Sequence, residues 1–345
     1  MSKNEEMMRR NFLKKTSAGI GLGVMGASIS GSASEPNTTD RLPRDIWIAS
    51  LTLEGLEAKT SEALTNKVLR RMEETLACKP DIICLPETFP YEGVSEIPPL
   101  SDRAEKVPGP ITGKFVAFAE KHHCYIICPM HTKNDGRIYN SAVVIDRKGG
   151  IVGEYHKIHP TVDEIESGVC PGAIQPPTFE TDFGTIGIQI CFDVNWHEAW
   201  RSLRDSGAEI IFWPSAFPGG RMLNALAWIN KTYVVTSTRP DPARIIDITG
   251  DDVAVSGRFE HWVCAPVNLE KAFIHIWPYV EKIDALRAKY RREIRVTKMH
   301  QEDWAVIESV SADVPLAAAL KEFDIPIHEE HIRRAQKTQE KARRV

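Results

Sequence analysis

The chain has 345 residues, 42% hydrophobic and 26% charged, which is enough apolar material for a large buried core and excludes a disordered or fibrous chain. Lys and Arg total 43 against 47 Asp and Glu, a net charge of −4, so there is no basic footprint for nucleic acid. The one long uncharged stretch, Thr16 to Ala33, is rich in Gly and Ser and too weakly apolar for a membrane anchor, so a soluble mature protein is expected.

The first 33 residues read as a cleavable export signal. Arg9, Arg10, Lys14 and Lys15 precede the uncharged run, and small residues close it around Gly31 to Ser34. The phrase Arg9-Arg10-Asn11-Phe12-Leu13-Lys14 resembles a twin-arginine signal, which implies export of a folded protein to the periplasm or the exterior. A mitochondrial presequence fits less well, because Glu5 and Glu6 are unusual there. No Cys precedes Cys78, so no lipid-modified cysteine is expected at the cleavage site. Seven cysteines in an exported chain leave at least one thiol unpaired.

Residues 34–43 read as a linker and residues 44–310 as the functional domain. Asp45–Leu53 has strand character, and Leu64, Val68, Met72 and Leu76 line one face of a helix over Ser61–Ala77. Asp81–Leu85 is a short apolar strand, followed by a helix over Ile111–His122 and a strand over Cys124–Met130. Ser141–Asp146 and Ile151–Lys157 form a hairpin around Arg147-Lys148-Gly149-Gly150. Strand Gly184–Cys191, helix His197–Asp205, strand Glu209–Trp213, helix Arg221–Lys231 and strand Tyr233–Thr238 follow, then a second hairpin from Arg244–Ile248 to Val253–Phe259. The alternation with interspersed hairpins predicts a layered α/β domain with mixed sheets. Glu281–Arg295 is a charged helix candidate, Gln301–Val310 a strand, and residues 311–345 a charged extension.

Three polar residues stand where apolar strands end, the usual place for functional groups in open α/β sheets. Glu87 lies in Leu85-Pro86-Glu87-Thr88-Phe89, Lys157 in Tyr155-His156-Lys157-Ile158-His159, and Cys191 in Gln189-Ile190-Cys191-Phe192-Asp193. With Tyr139-Asn140-Ser141-Ala142, Pro171-Gly172 and Phe212-Trp213-Pro214-Ser215, these phrases resemble the carbon–nitrogen hydrolase (nitrilase) superfamily from about residue 45 to residue 265. The resemblance implies a four-layer α-β-β-α sandwich and a Cys nucleophile that needs no cofactor and no metal. Cys191 would attack a carbonyl or nitrile carbon, Glu87 would relay protons, and Lys157 with a backbone N–H would stabilise the oxyanion.

Relatives that resemble true nitrilases usually carry Trp-Glu after the nucleophile, whereas Phe192-Asp193 is similar to the amidase and carbamoylase branches. That favours small amide or ureido substrates, with nitriles as the alternative. Tyr91, Phe192, Trp196, Phe217 and Arg221 are candidate pocket residues by position, and no Arg adjoins Cys191 in sequence to receive a substrate carboxylate. Many relatives place a Glu eight or nine residues before Asn140 to orient the Lys; His131 and Thr132 stand there instead. His131, Glu154 or Glu166 are the candidate replacements. Relatives also pair through the helices equivalent to 197–205 and 221–231, which implies a homodimer or higher homo-oligomer with Trp200, Leu203, Leu226 and Trp228 at the interface.

A competing reading is metal or redox binding by His122, His123, Cys124, Cys128 and His131. Strand periodicity places Cys124 and Cys128 on one face, but residues four apart on a strand are separated by ~13 Å, too far for one ion without a bend.

Overall fold

The computed structural model describes residues 44–344; the expected export signal and linker lie outside them. Two six-stranded sheets form the body. The first is built from β1 (Asp45–Leu51), β2 (Ile82–Cys84), β3 (Tyr125–Asn134), β4 (Arg137–Ile145), β5 (Ile151–His156) and β12 (Trp262–Asn268), in the order β12-β1-β2-β3-β4-β5. The second holds β6 (Thr178–Glu180), β7 (Thr185–Ile188), β8 (Ile210–Ser215), β9 (Tyr233–Thr238), β10 (Arg244–Ile246) and β11 (Asp252–Val255), in the order β11-β10-β9-β8-β7-β6. In each, the central strands run parallel and the flanking strands antiparallel.

Strand periodicity sends alternate side chains to opposite faces, and both faces of these strands are apolar. Ile46, Ile48, Ile82, Ile127 and Val144 of the first sheet meet Ile186, Ile188, Ile210, Phe212 and Val235 of the second in a shared core. The alternate residues Ala49, Ile83, Ile126 and Val143 pack instead under α1 (Ser61–Thr75) and α3 (Pro110–His122), through Val68, Met72, Phe115 and Phe118. On the far side, Ile211, Trp213 and Val234 pack under α5 (His197–Asp205) and α6 (Arg221–Asn230), through Trp200, Leu203, Leu223 and Leu226. The result is the four-layer α-β-β-α sandwich.

This packing bears on two expectations from the sequence. Trp200, Leu203 and Leu226, expected at an interface between copies, are enclosed in the chain's own core. Trp228 is also engaged, stacked on Trp304 with ring centroids 4.9 Å apart.

The second is the domain boundary expected at residue 310. A third sheet, order β13-β15-β14, is formed by β13 (Lys271–His275), β14 (Ile294–Met299) and β15 (Trp304–Ser309). One face packs with α7 (Val280–Tyr290) and α8 (Leu316–Glu322), so that Ile274, Ile283, Leu286 and Ile307 share a core with Val314, Leu316, Leu320 and Ile325. A cut at 310 divides that core. The last helix, α9 (His328–Arg343), fully buries no side chain and packs through His328 on Trp304 and His331 on His275.

Candidate active site

The first sheet delivers Glu87 three residues beyond β2 and Lys157 directly after β5; the second delivers Cys191 three residues beyond β7. Gln189 N donates to Phe212 O at 3.0 Å, extending the parallel ladder almost to the Cys. The chain then turns sharply, with Cys191 at φ +48° in a short 3₁₀ turn over Cys191–Asn195. A left-handed non-glycine residue costs on the order of 1–3 kcal/mol and persists only where its surroundings over-determine it. Here the anchor is Asp193, fully buried, which accepts from Ile190 N at 3.0 Å, His159 N at 2.8 Å and Tyr155 Oη at 2.7 Å. Trp213 Nε1 holds Cys191 O at 3.0 Å. Thr88, next to Glu87, is also left-handed, at φ +46°.

Lys157 is buried between two carboxylates. Its Nζ donates to Glu87 Oε1 and to Glu164 Oε2, both at 2.8 Å. Asn140 Nδ2 bridges the same pair, 2.9 Å from Glu87 Oε1 and 2.7 Å from Glu164 Oε1. Glu164 lies in α4 (Val162–Glu166), where it forms a capping box with Thr161: Thr161 N donates to Glu164 Oε2 at 2.7 Å and Glu164 N to Thr161 Oγ1 at 3.3 Å. Glu164 thus takes the place sought for His131, Glu154 or Glu166. The other Glu87 oxygen, Oε2, is buried without a hydrogen-bond partner. Gly172 passes across this segment, donating from its N to Lys157 O at 2.8 Å; a Cβ there would stand 2.2 Å from His156 O.

Glu87, Lys157 and Cys191 line one cleft of about 310 Å³. Burial works to lower the Lys157 pKa, yet Glu87, Cys191 and Glu164 together hold it above the ordinary lysine value, so it is a fixed cation. Burial, then the Glu87 charge, pushes the Cys191 thiol up to about 11 against the opposing pull of Lys157, the Ala216 N–H and the Ser215 hydroxyl. Burial would raise Glu164, but Lys157, Asn140 and Thr161 keep it below the ordinary carboxylate value. Cys191 therefore rests as a neutral thiol beside the Lys157 ammonium and the Glu164 carboxylate.

The candidate pocket residues fare differently. Tyr91, Phe192, Trp196, Phe217 and Arg221 are all absent from this lining. Tyr91 is buried in the core, and Trp196 stacks on His159 at 3.8 Å with Phe192 edge-on at 5.2 Å. Phe217 packs edge-on against Trp213 at 5.2 Å, and Arg221 is exposed at the start of α6. The cleft is lined instead by Leu100, Arg103, His131, Val169, Ala216 and Arg239, among others. Arg239 holds the Glu87 loop: its Nη2 reaches Thr88 Oγ1 at 2.6 Å and Glu92 Oε1 at 2.9 Å, and its Nε donates to Glu87 O at 3.3 Å.

The competing metal or redox reading fails on burial. Cys124 and Cys128 lie in the apolar layer under α3, where burial pushes Cys124 up to about 12 and Cys128 well above the ordinary thiol value. Among the described residues no group of three His, Cys, Asp or Glu is placed to hold a metal ion. A larger cleft of about 550 Å³, lined by Lys231, Phe273 and Arg333 among others, contains none of the three candidate residues.

Residues 48–272 match the model of the carbon–nitrogen hydrolase family. The chain belongs to that family. This hydrolase is 26% identical over 256 residues to an omega-amidase from Mus musculus, a match covering 66% of this chain and 86% of the relative. It is 31% identical over 147 residues to a beta-ureidopropionase from Arabidopsis thaliana, covering 40% and 36% of the two chains. A carbon–nitrogen hydrolase from Helicobacter pylori G27 shares the fold with a TM-score of 0.58 at 21% identity, over 72% of this chain and 93% of that one.

Proposed function

We propose that this enzyme hydrolyses C–N bonds of small amides or N-carbamoyl compounds through a thioester on Cys191, with Glu87 and Lys157 completing the machinery. The observation that carries the reading is the meeting of Cys191 in one cleft with a buried Lys157 and a Glu87 whose Oε2 accepts no hydrogen bond and has only the Arg239 guanidinium, 3.9 Å away, as an ionic neighbour. In the forward step Glu87 takes the thiol proton as sulfur bonds to the carbonyl carbon. Lys157 and a backbone N–H near Cys191 stabilise the oxyanion, an interaction typically worth ~3 kcal/mol. The C–N bond then breaks, and the leaving nitrogen takes the proton from Glu87 and departs as ammonia or an amine. Water attacks the thioester carbonyl, Glu87 accepts its proton, the C–S bond breaks, and the proton returns to the thiolate. The amidase and ureidopropionase relatives support these bond classes.

The test is ammonia release over small amides, ureido acids and nitriles. Turnover that vanishes in Cys191→Ala, with unchanged circular dichroism, is expected; turnover that survives the substitution refutes the reading. Export through the Arg9-Arg10 signal belongs to the same proposal, as does assembly with a second copy. Met222 and Ile229, exposed on α6, support the latter.

A further inference from the structure

The charged groups of the cleft pair off with one exception among its cations. Lys157 sits between Glu87 and Glu164, and Arg239 reaches Glu92 at 2.9 Å. Arg103, at the end of α2 (Leu100–Arg103), lines the same cleft and forms no ion pair among the described residues. Its Nε is buried without a hydrogen-bond partner. His131, also on the lining, is only 7% exposed, and its Nδ1 is likewise buried and unpartnered.

The backbone fixes these two groups relative to the reacting residues. Glu105 N donates to His131 O at 3.3 Å and Lys133 N to Glu105 O at 2.8 Å, which bridges the segment just after Arg103 onto β3. His131 stands opposite Asn140 in the β3–β4 register, and Asn140 holds Glu87 and Glu164. Burial, then Arg103, lowers His131 to about 4, so its imidazole is neutral near pH 7 and keeps one ring N–H to donate. Asp163, a further carboxylate on the lining, is exposed to solvent and does not offset the buried guanidinium nitrogen.

A buried guanidinium N–H without an acceptor is costly in a folded protein and marks a place where a ligand supplies one. Its planar fork matches a carboxylate. We propose that Arg103, assisted by His131, receives a carboxylate of the substrate, so that the preferred substrates are short amides or ureides bearing a carboxylate a few bonds from the scissile C–N bond. The inference rests on the hydrolase reading of Cys191 and specifies its substrate. A cleft of about 310 Å³ suits a molecule of that size.

The test compares kcat/KM, by ammonia release, for succinamate, its neutral methyl ester, butyramide and ureidopropionate. Wild type is expected to prefer succinamate to its methyl ester by about 10- to 100-fold, the range for a hydrogen bond to a charged group. Arg103→Leu should abolish that preference chiefly through KM, and Arg103→Lys should restore part of it. A preference for ureidopropionate over succinamate makes the ureide the source of the carboxylate, and the reverse makes it the amide. Equal kcat/KM for succinamate and its ester in wild type, or a preference that survives Arg103→Leu, overturns this inference alone. Absence of turnover on all four compounds overturns the hydrolase reading and the inference with it.

Discussion

A thiol held at about 11 is almost entirely protonated near neutrality, so Cys191 becomes a nucleophile when its proton leaves, not by resting as a thiolate. The Glu87 charge contributes to that elevation, and the Oε2 of the same carboxylate accepts no hydrogen bond in the cleft. These two roles separate in Glu87→Gln. Removing the charge lowers the Cys191 pKa, so alkylation by iodoacetamide at pH 7–8 should accelerate by about 10-fold, the equivalent of one unit. Amide turnover should fall by about 100-fold or more with the proton relay gone. In wild type the alkylation rate should keep climbing past pH 9, since the thiolate fraction rises toward the elevated pKa. Alkylation that levels off at pH 8, or that slows in Glu87→Gln, would contradict the assignment. Glu87, Lys157 and Cys191 were legible in the sequence because each follows an apolar strand in a distinctive phrase. Arg103 and Arg239 were not, because they lie outside those phrases and reach the cleft through tertiary packing. Glu164 lay between these cases: Thr161-Val162-Asp163-Glu164 has the spacing of a capping box, but nothing local says that the capping carboxylate also grips Lys157.

The turn after β7 shows how an element stores a strained residue. Asp193 carries it, and Asp193→Ala would leave the Ile190 and His159 amides and the Tyr155 hydroxyl without their acceptor. At about 1–3 kcal/mol for each unmet buried group, the loss should reach about 3 kcal/mol or more in denaturant unfolding, together with turnover. Stability within about 1 kcal/mol of wild type, the net worth of a single hydrogen bond, would mean that other contacts hold Cys191 in its left-handed conformation. Long periodic elements such as α1 and the strand Tyr233–Thr238 were readable from their apolar spacing alone. The missed ones have physical reasons: α4 has five residues, β6 has three, and β12 contains Pro266, tolerated because β12 is the edge strand of its sheet.

The whole molecule holds the site because its parts come from two sheets pressed face to face. Polar ties reinforce the apolar layer between them: Ser50 Oγ donates to Thr236 O at 2.7 Å, and Ser237 Oγ lies 2.7 Å from Leu51 O and 3.0 Å from Cys84 O. The third sheet is continuous with that layer, since Phe273 and Val306 face into it while Ile274 and Ile307 face α7 and α8. Charge density suggested an extension beginning at residue 311, because a short apolar helix such as Leu316–Glu322 is inconspicuous between charged segments. Burial points to 328 as the alternative, and the two boundaries predict different truncations. A chain ending at Val310 loses Val314, Leu316, Ala319, Leu320 and Ile325 from the small core. Even at about 1.5–3 kcal/mol for each of the larger side chains, that approaches the whole stability of a typical domain, so this chain should be insoluble or unfolded. A chain ending at Ile327 loses a helix that fully buries no side chain, though His328 and His331 leave their contacts on Trp304 and His275, and should stay soluble, with a small drop in melting temperature. Soluble yield and thermal unfolding of the two truncations decide between the boundaries: a chain ending at Val310 that melts like the full-length protein would support the boundary at 310.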